Sequence, residues 1–167
     1  MSWNSLLETL GLGKLNIAVV LSILLVLMMS VIPMPLAIDI FRPQWVLLAV
    51  LYWCIALPKC YNIGFAWLCG LAMDLLHNNV IGFHALSYVV VVAFAMLLHQ
   101  HFRLYPLWQQ ALLIGILLLP HFLLNLWIHN SLYTVEADWR YWAQLPVSML
   151  LWPWVFSVLR FIRHKVS

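Results

Sequence analysis

LNIAVVLSILLVLMMSVIP, residues 15–33, decides what kind of fold this chain can adopt. The stretch carries no charge, and wound as a helix it is about 28 Å long at ~1.5 Å per residue, close to the ~30 Å hydrocarbon core of a bilayer. The same texture repeats outward from it. Runs near Pro43–Leu57, Tyr61–Leu76, His84–Leu98, Trp108–Ile128 and Trp142–Leu159 are apolar, and charged residues fall almost wholly in the gaps between them. Asp74 alone breaks that pattern. The 167 residues are 66% hydrophobic and 8% charged, against ~45–50% apolar and ~25% charged in an average soluble domain. With a mean hydropathy of +0.99, a water-soluble fold could not hide the apolar surface. The sequence therefore predicts a single all-α integral membrane domain, a polytopic bundle of about six transmembrane helices over residues 15–160.

Two of those runs are short. The Pro43–Leu57 and Tyr61–Leu76 stretches would make only about 22–24 Å of helix, and Pro58-Lys59-Cys60 joins them by a tight turn. Read as a re-entrant hairpin, the pair lowers the span count to about four and leaves both ends on the same side of the membrane. Ahead of the first span, Trp3, Leu6, Leu7 and Leu10 recur at helical spacing, and Ser5 with Glu8 has capping-box spacing. Residues 1–14 are thus expected to form a short helix lying on the membrane surface. No Lys/Arg-led start or small-residue cleavage site precedes the first apolar run, so that run is expected to stay as an anchor.

Basic residues set the orientation. Lys14, Lys59, Arg103, Arg160, Arg163 and Lys165 lie on one side of the predicted bundle, and Arg42 and Arg140 on the other. The positive-inside rule then places both ends in the cytoplasm, with residues 161–167 as a basic cytoplasmic tail. Asp39, Glu136 and Asp138, with an aromatic belt of Trp139, Tyr141 and Trp142, fit the outer surface. The net charge of +3 is spread along the chain and not gathered into a face, which excludes a nucleic-acid partner. Cys54, Cys60 and Cys69 lack the paired spacings of a metal or redox site and read as small buried hydrophobes.

An acid on an apolar helix is expensive in lipid and must face protein or a wet cavity, so Asp74 is the most informative polar residue. Folding the hairpin about Lys59 brings Asp74 level with Gln44 and within a turn of Arg42, which predicts an interhelical polar lock among Arg42, Gln44 and Asp74. Ala66, Gly70 and Asp74 share one helix face, and small residues at that spacing admit a neighbouring backbone. His121, Asn125 and His129 form a second stripe at helical spacing, and with His84 they suggest an outer polar cavity. No Cys or Glu accompanies the stripe, so hydrogen bonding between helices is favoured over a metal site. No serine or cysteine has a histidine and an acid at a recognisable offset, and no catalytic group is assigned. Pro153, set between Trp152 and Trp154 with Phe156 a turn further on, removes one helical hydrogen bond and predicts a kinked, Trp-lined groove for a partner helix or apolar ligand.

A series of short strings runs along most of the chain: Phe41-Arg42-Pro43-x-Trp45, Tyr52-Trp53, Ala56-Leu57-Pro58, Asn62-x-Gly64 and Gly70-x-x-x-Asp74-Leu75. It continues through Gly82-x-His84-Ala85-Leu86, Leu107-Trp108-Gln109-Gln110-Ala111 and Leu151-Trp152-Pro153-Trp154-Val155-Phe156. In their order and spacing the chain resembles the rod shape-determining protein MreD family of small bacterial inner-membrane proteins. The resemblance implies a non-catalytic scaffold of the cell-wall elongation machinery, without cofactor. The implied partners are the single-span protein MreC and, through it, MreB and a RodA-type glycosyltransferase with its transpeptidase. It also implies an architecture similar to the substrate-binding subunits of energy-coupling-factor vitamin transporters. The competing function is therefore a small-molecule or lipid-precursor binder, using the outer cavity near Asp74, His84 and His121. Membrane lipids and a second copy of the chain remain open as further partners.

Overall fold

The computed structural model describes residues 3–33, 35, 41–78, 80–102, 104–132 and 142–166. Among them are six α-helices and no strand: α1 (Trp3–Val31), α2 (Trp45–Ala56), α3 (Ile63–Leu76), α4 (Phe83–Phe102), α5 (Leu107–Leu132) and α6 (Gln144–Val166). Four of these contain stretches long and apolar enough to cross a membrane: Gly13–Val31, Phe83–Gln100, Leu107–Ile128 and Gln144–Val166. The other two, α2 and α3, are the short apolar helices that the sequence predicts, at 12 and 14 residues. The segment expected as a separate surface helix is continuous with the first span, since α1 runs unbroken from Trp3 to Val31. Gly11 and Gly13 lie within it, but a glycine costs a helix only ~1 kcal/mol and does not by itself break it.

The shortest helix is at the centre. Every residue of α2 from Val46 to Ile55 is buried, which is what a uniformly apolar sequence requires when no face of it can meet a polar surface. Helices α1, α6, α5, α4 and α3 form an arc of successive neighbours, and α2 packs inside it chiefly against α1, α4, α6 and α3. Between its two ends α2 is about 18 Å long at ~1.5 Å per residue, roughly 12 Å less than a bilayer's hydrocarbon core. A cavity lies at each of those ends, about 120 Å³ at Gln44, Trp45 and Val46 and about 520 Å³ at Tyr52, Ile55 and Ala56.

Local chemistry sets the helix boundaries. The Asn62 side chain accepts the Gly64 N–H at 3.1 Å and caps α3, and Pro106 takes the position before α5, where its missing N–H costs nothing. Single polar side chains fasten α2 to its neighbours. Trp53 Nε1 donates to Ser22 Oγ of α1 at 3.0 Å. The Gln44 backbone N–H donates to Ser148 Oγ at 3.1 Å, and Gln44 Nε2 to Gln144 Oε1 at 3.1 Å, both on α6. In a medium without water each such group must find a protein partner. Of the cysteines, Cys54 and Cys69 are buried as expected, but Cys60 is exposed, because it belongs to the turn and not to either helix.

Candidate functional site

Asp74 lies on α3 with none of its side chain exposed. Its carboxylate is not locked to Arg42 and Gln44. Oδ2 accepts the Gly82 N–H at 2.8 Å and reaches the Ala85 N–H at 3.5 Å, and Oδ1 accepts the His84 N–H at 2.8 Å. His84 Nδ1 lies a further 2.8 Å from Oδ1. These are the orphan donors at the start of α4, whose first helical hydrogen bond runs from Leu86 N–H to the Gly82 carbonyl. Asp74 is thus an N-terminal cap supplied by a different helix, with its negative charge at the positive end of the α4 dipole. Gly82 makes the geometry possible with φ +101°, a backbone conformation that suits glycine.

Arg42 does the converse job. Its Nη2 donates to the Met29 and Ile32 carbonyls at 3.0 Å and to the Ser30 carbonyl, at the C-terminal end of α1 where the dipole is negative. The lock predicted among Arg42, Gln44 and Asp74 is therefore replaced by two helix caps. Arg42 and Gln44 share the smaller cavity with His77 and His84, and that histidine is the one that touches Asp74.

The small-residue face is brought together as predicted, and its occupant is now defined. Ala66, Gly70 and Asp74 are all buried. A Cβ added at Gly70 would lie 2.4 Å from Ala85 Cα and 2.7 Å from Ala85 N, so the backbone that comes close is that of α4. Accordingly α3 packs far more extensively on α4 than on α2.

His121 and Asn125 sit deeper, 1% and 5% exposed, and do not line the smaller cavity. The Ser87 hydroxyl gives its single hydrogen to the His84 carbonyl at 2.9 Å, so it accepts from His121 Nδ1–H at 3.0 Å. His121 Nε2 is then the acceptor for the Asn125 amide at 3.0 Å. Nδ1 therefore ties α5 to α4, the interhelical hydrogen bonding read from the stripe, whereas the Nε2 bond to Asn125 stays within α5. The His129 side chain lies outside the described residues, as do Asp39, Arg103 and residues 136–141. Among the described residues no cluster of three potential metal ligands occurs. At about 120 Å³ the smaller cavity is below the ~300–1,000 Å³ typical of small-molecule sites.

The residues of the groove predicted around Pro153 of α6 are divided between two surfaces. Trp152 is 1% exposed and, with Phe156, lines the larger cavity at the C-terminal end of α2. Trp154 points away, 61% exposed, with one edge against Trp45 at a ring separation of 6.4 Å. Pro153, between them, is half-buried. The sequence reading missed Gln110. Its Nε2 donates to the Phe102 carbonyl at 2.8 Å and the Tyr105 carbonyl at 2.9 Å, closing the α4–α5 turn, and its Oε1 faces Trp152 Nε1 at 3.5 Å. A glutamine at the start of a lipid-embedded helix was the available signal.

Helix composition, central burial and inward-facing polar groups define a multi-pass α-helical membrane protein. The family model for rod shape-determining protein MreD matches residues 13–162. A rod shape-determining protein MreD of Haemophilus influenzae is 34% identical over 140 residues, covering 81% of this chain and 83% of that protein. The chain belongs to the MreD family of rod shape-determining proteins. No solved structure matches it.

Proposed function

We propose that this protein is a non-catalytic scaffold of the cell-wall elongation machinery, set in the bacterial inner membrane with both ends in the cytoplasm. It binds MreC, and through MreC it engages MreB and a RodA-type glycosyltransferase with its transpeptidase. Family membership supports the role in rod shape, and the basic residues at Lys14, Lys59, Arg160, Arg163 and Lys165 support the orientation. The polar side chains of the bundle support a scaffold and not an enzyme, because Arg42, Asp74, His121 and Gln110 are engaged in caps and interhelical bonds.

The observation that carries the docking claim is the outer face of α6. Leu150, Trp154, Val158 and Phe161 recur at helical spacing and are all exposed, Leu150 at 80%. Tryptophan in the middle of a span is away from its usual interfacial belt and is the residue type most enriched where binding energy concentrates. The Ala66–Gly70 face is filled by α4, so a partner helix meets α6 and not α3. Trp154→Ala should keep the bundle intact while lowering co-purification of MreC at least severalfold and rounding the cells. Undiminished co-purification by Trp154→Ala combined with Phe161→Ala would refute docking on this face.

A further inference from the structure

The larger cavity, about 520 Å³, is of ligand size and lies at the opposite end of α2 from the polar caps. Its walls are of two kinds. Ile55, Trp152 and Phe156 are apolar, whereas Arg160 and Arg163, one turn apart on α6, bring two positive charges to the same space with no acidic residue among the lining. Among the described residues neither guanidinium meets a carboxylate. The Tyr52 hydroxyl also lines the cavity, is buried, and has no hydrogen-bond partner, although a buried hydroxyl left unpaired costs about 1–3 kcal/mol. Gln110 adds no free donor, since both hydrogens of its amide are committed to the α4–α5 turn. The cavity therefore has a cationic, hydrogen-bond-donating side and a greasy side.

We propose that this cavity binds the headgroup phosphate of an anionic membrane lipid. Arg160 and Arg163 hold the phosphate oxygens, the Tyr52 hydroxyl donates to one of them, and Ile55, Trp152 and Phe156 receive the first carbons of the chains. Guanidinium forks match phosphate oxygens in geometry and charge. The short α2 leaves room at hydrocarbon depth for a headgroup to enter, and on the orientation proposed above the cavity faces the leaflet where anionic lipids gather. The inference does not depend on MreC docking, which uses the opposite face of α6.

The test uses the full chain in a neutral detergent, titrated with phosphatidylglycerol, phosphatidylcholine or inorganic phosphate and read by native mass spectrometry. Phosphatidylglycerol should bind about tenfold or more tightly than phosphatidylcholine. Arg160→Gln with Arg163→Gln should lower that affinity by roughly tenfold or more, and Tyr52→Phe by severalfold. Lys165→Gln, equally basic but not in the cavity wall, should change nothing. Should the double variant fail to accumulate, Tyr52→Phe decides, because it removes one oxygen and no bulk. Equal binding of the two lipids, an unaltered Tyr52→Phe, or displacement by millimolar inorganic phosphate would each overturn the proposal.

Discussion

Asp74→Ala is the perturbation whose outcome the structure specifies most closely. The substitution removes the acceptor for two backbone N–H groups and one imidazole nitrogen, each at 2.8 Å, from a site with no solvent. An abandoned buried donor costs ~1–3 kcal/mol in soluble proteins, while measured hydrogen-bond couplings within membrane bundles average ~0.6 and reach ~1.7 kcal/mol. Three donors together put the loss at about 2–6 kcal/mol. Asp74→Asn keeps one carbonyl oxygen for the His84 pair but turns an amide N–H₂ towards the Gly82 N–H, so about half that loss is expected. Reversible unfolding in mixed detergent micelles gives the free energies, and membrane accumulation gives the cellular consequence. Asp74→Ala within ~0.5 kcal/mol of the parent would refute the capping role, since that is below even one ordinary N-cap. Normal accumulation with complete loss of rod shape in both variants would mean that the charge acts in a proton relay.

Gly70→Ala should destabilise by about 2–3 kcal/mol, because its Cβ would meet the α4 backbone at Ala85 and the helices must part. Gly115→Ala should cost under about 1 kcal/mol, although its Cβ would come equally close to a neighbour, because that neighbour is the flexible Met149 side chain; the same unfolding assay compares the two. Gln110→Leu should cost about 1–3 kcal/mol by stranding the Phe102 and Tyr105 carbonyls, with faster proteolysis of the α4–α5 turn as the local readout.

Much of the fold is legible in the sequence because lipid imposes one rule, that backbone polar groups pair within a helix. Apolar runs interrupted by Pro43, Pro58 and Pro106 therefore become helices ending close to where the runs end, and α2 and α3 come out short as read. The small-residue spacing at Ala66 and Gly70 correctly announces a close backbone approach, but the face does not say which helix approaches. Folding the hairpin about Lys59, and taking the level residues of its partner helix as the contacts, is what misdirected Asp74 towards Arg42. The true partners of both charges are main-chain groups at helix ends, N–H of Gly82 and His84 for the acid and carbonyls of Met29 and Ile32 for the base. Every residue owns such groups, so composition and spacing carry no mark of them. The inward and outward division of Trp152 and Trp154 was equally hidden, since both neighbours of Pro153 are the same residue type.

A site-specific crosslinking scan along α6 in native membranes, with MreC as the captured partner, addresses the scaffold reading most directly. Photoreactive residues at 150, 154, 158 and 161 should capture MreC in a helical rhythm, and those at the buried positions 148, 152, 155 and 159 should capture only this chain's own neighbouring helices. Crosslinks to MreC without that periodicity, or none along the whole helix while the complex still forms, would contradict it.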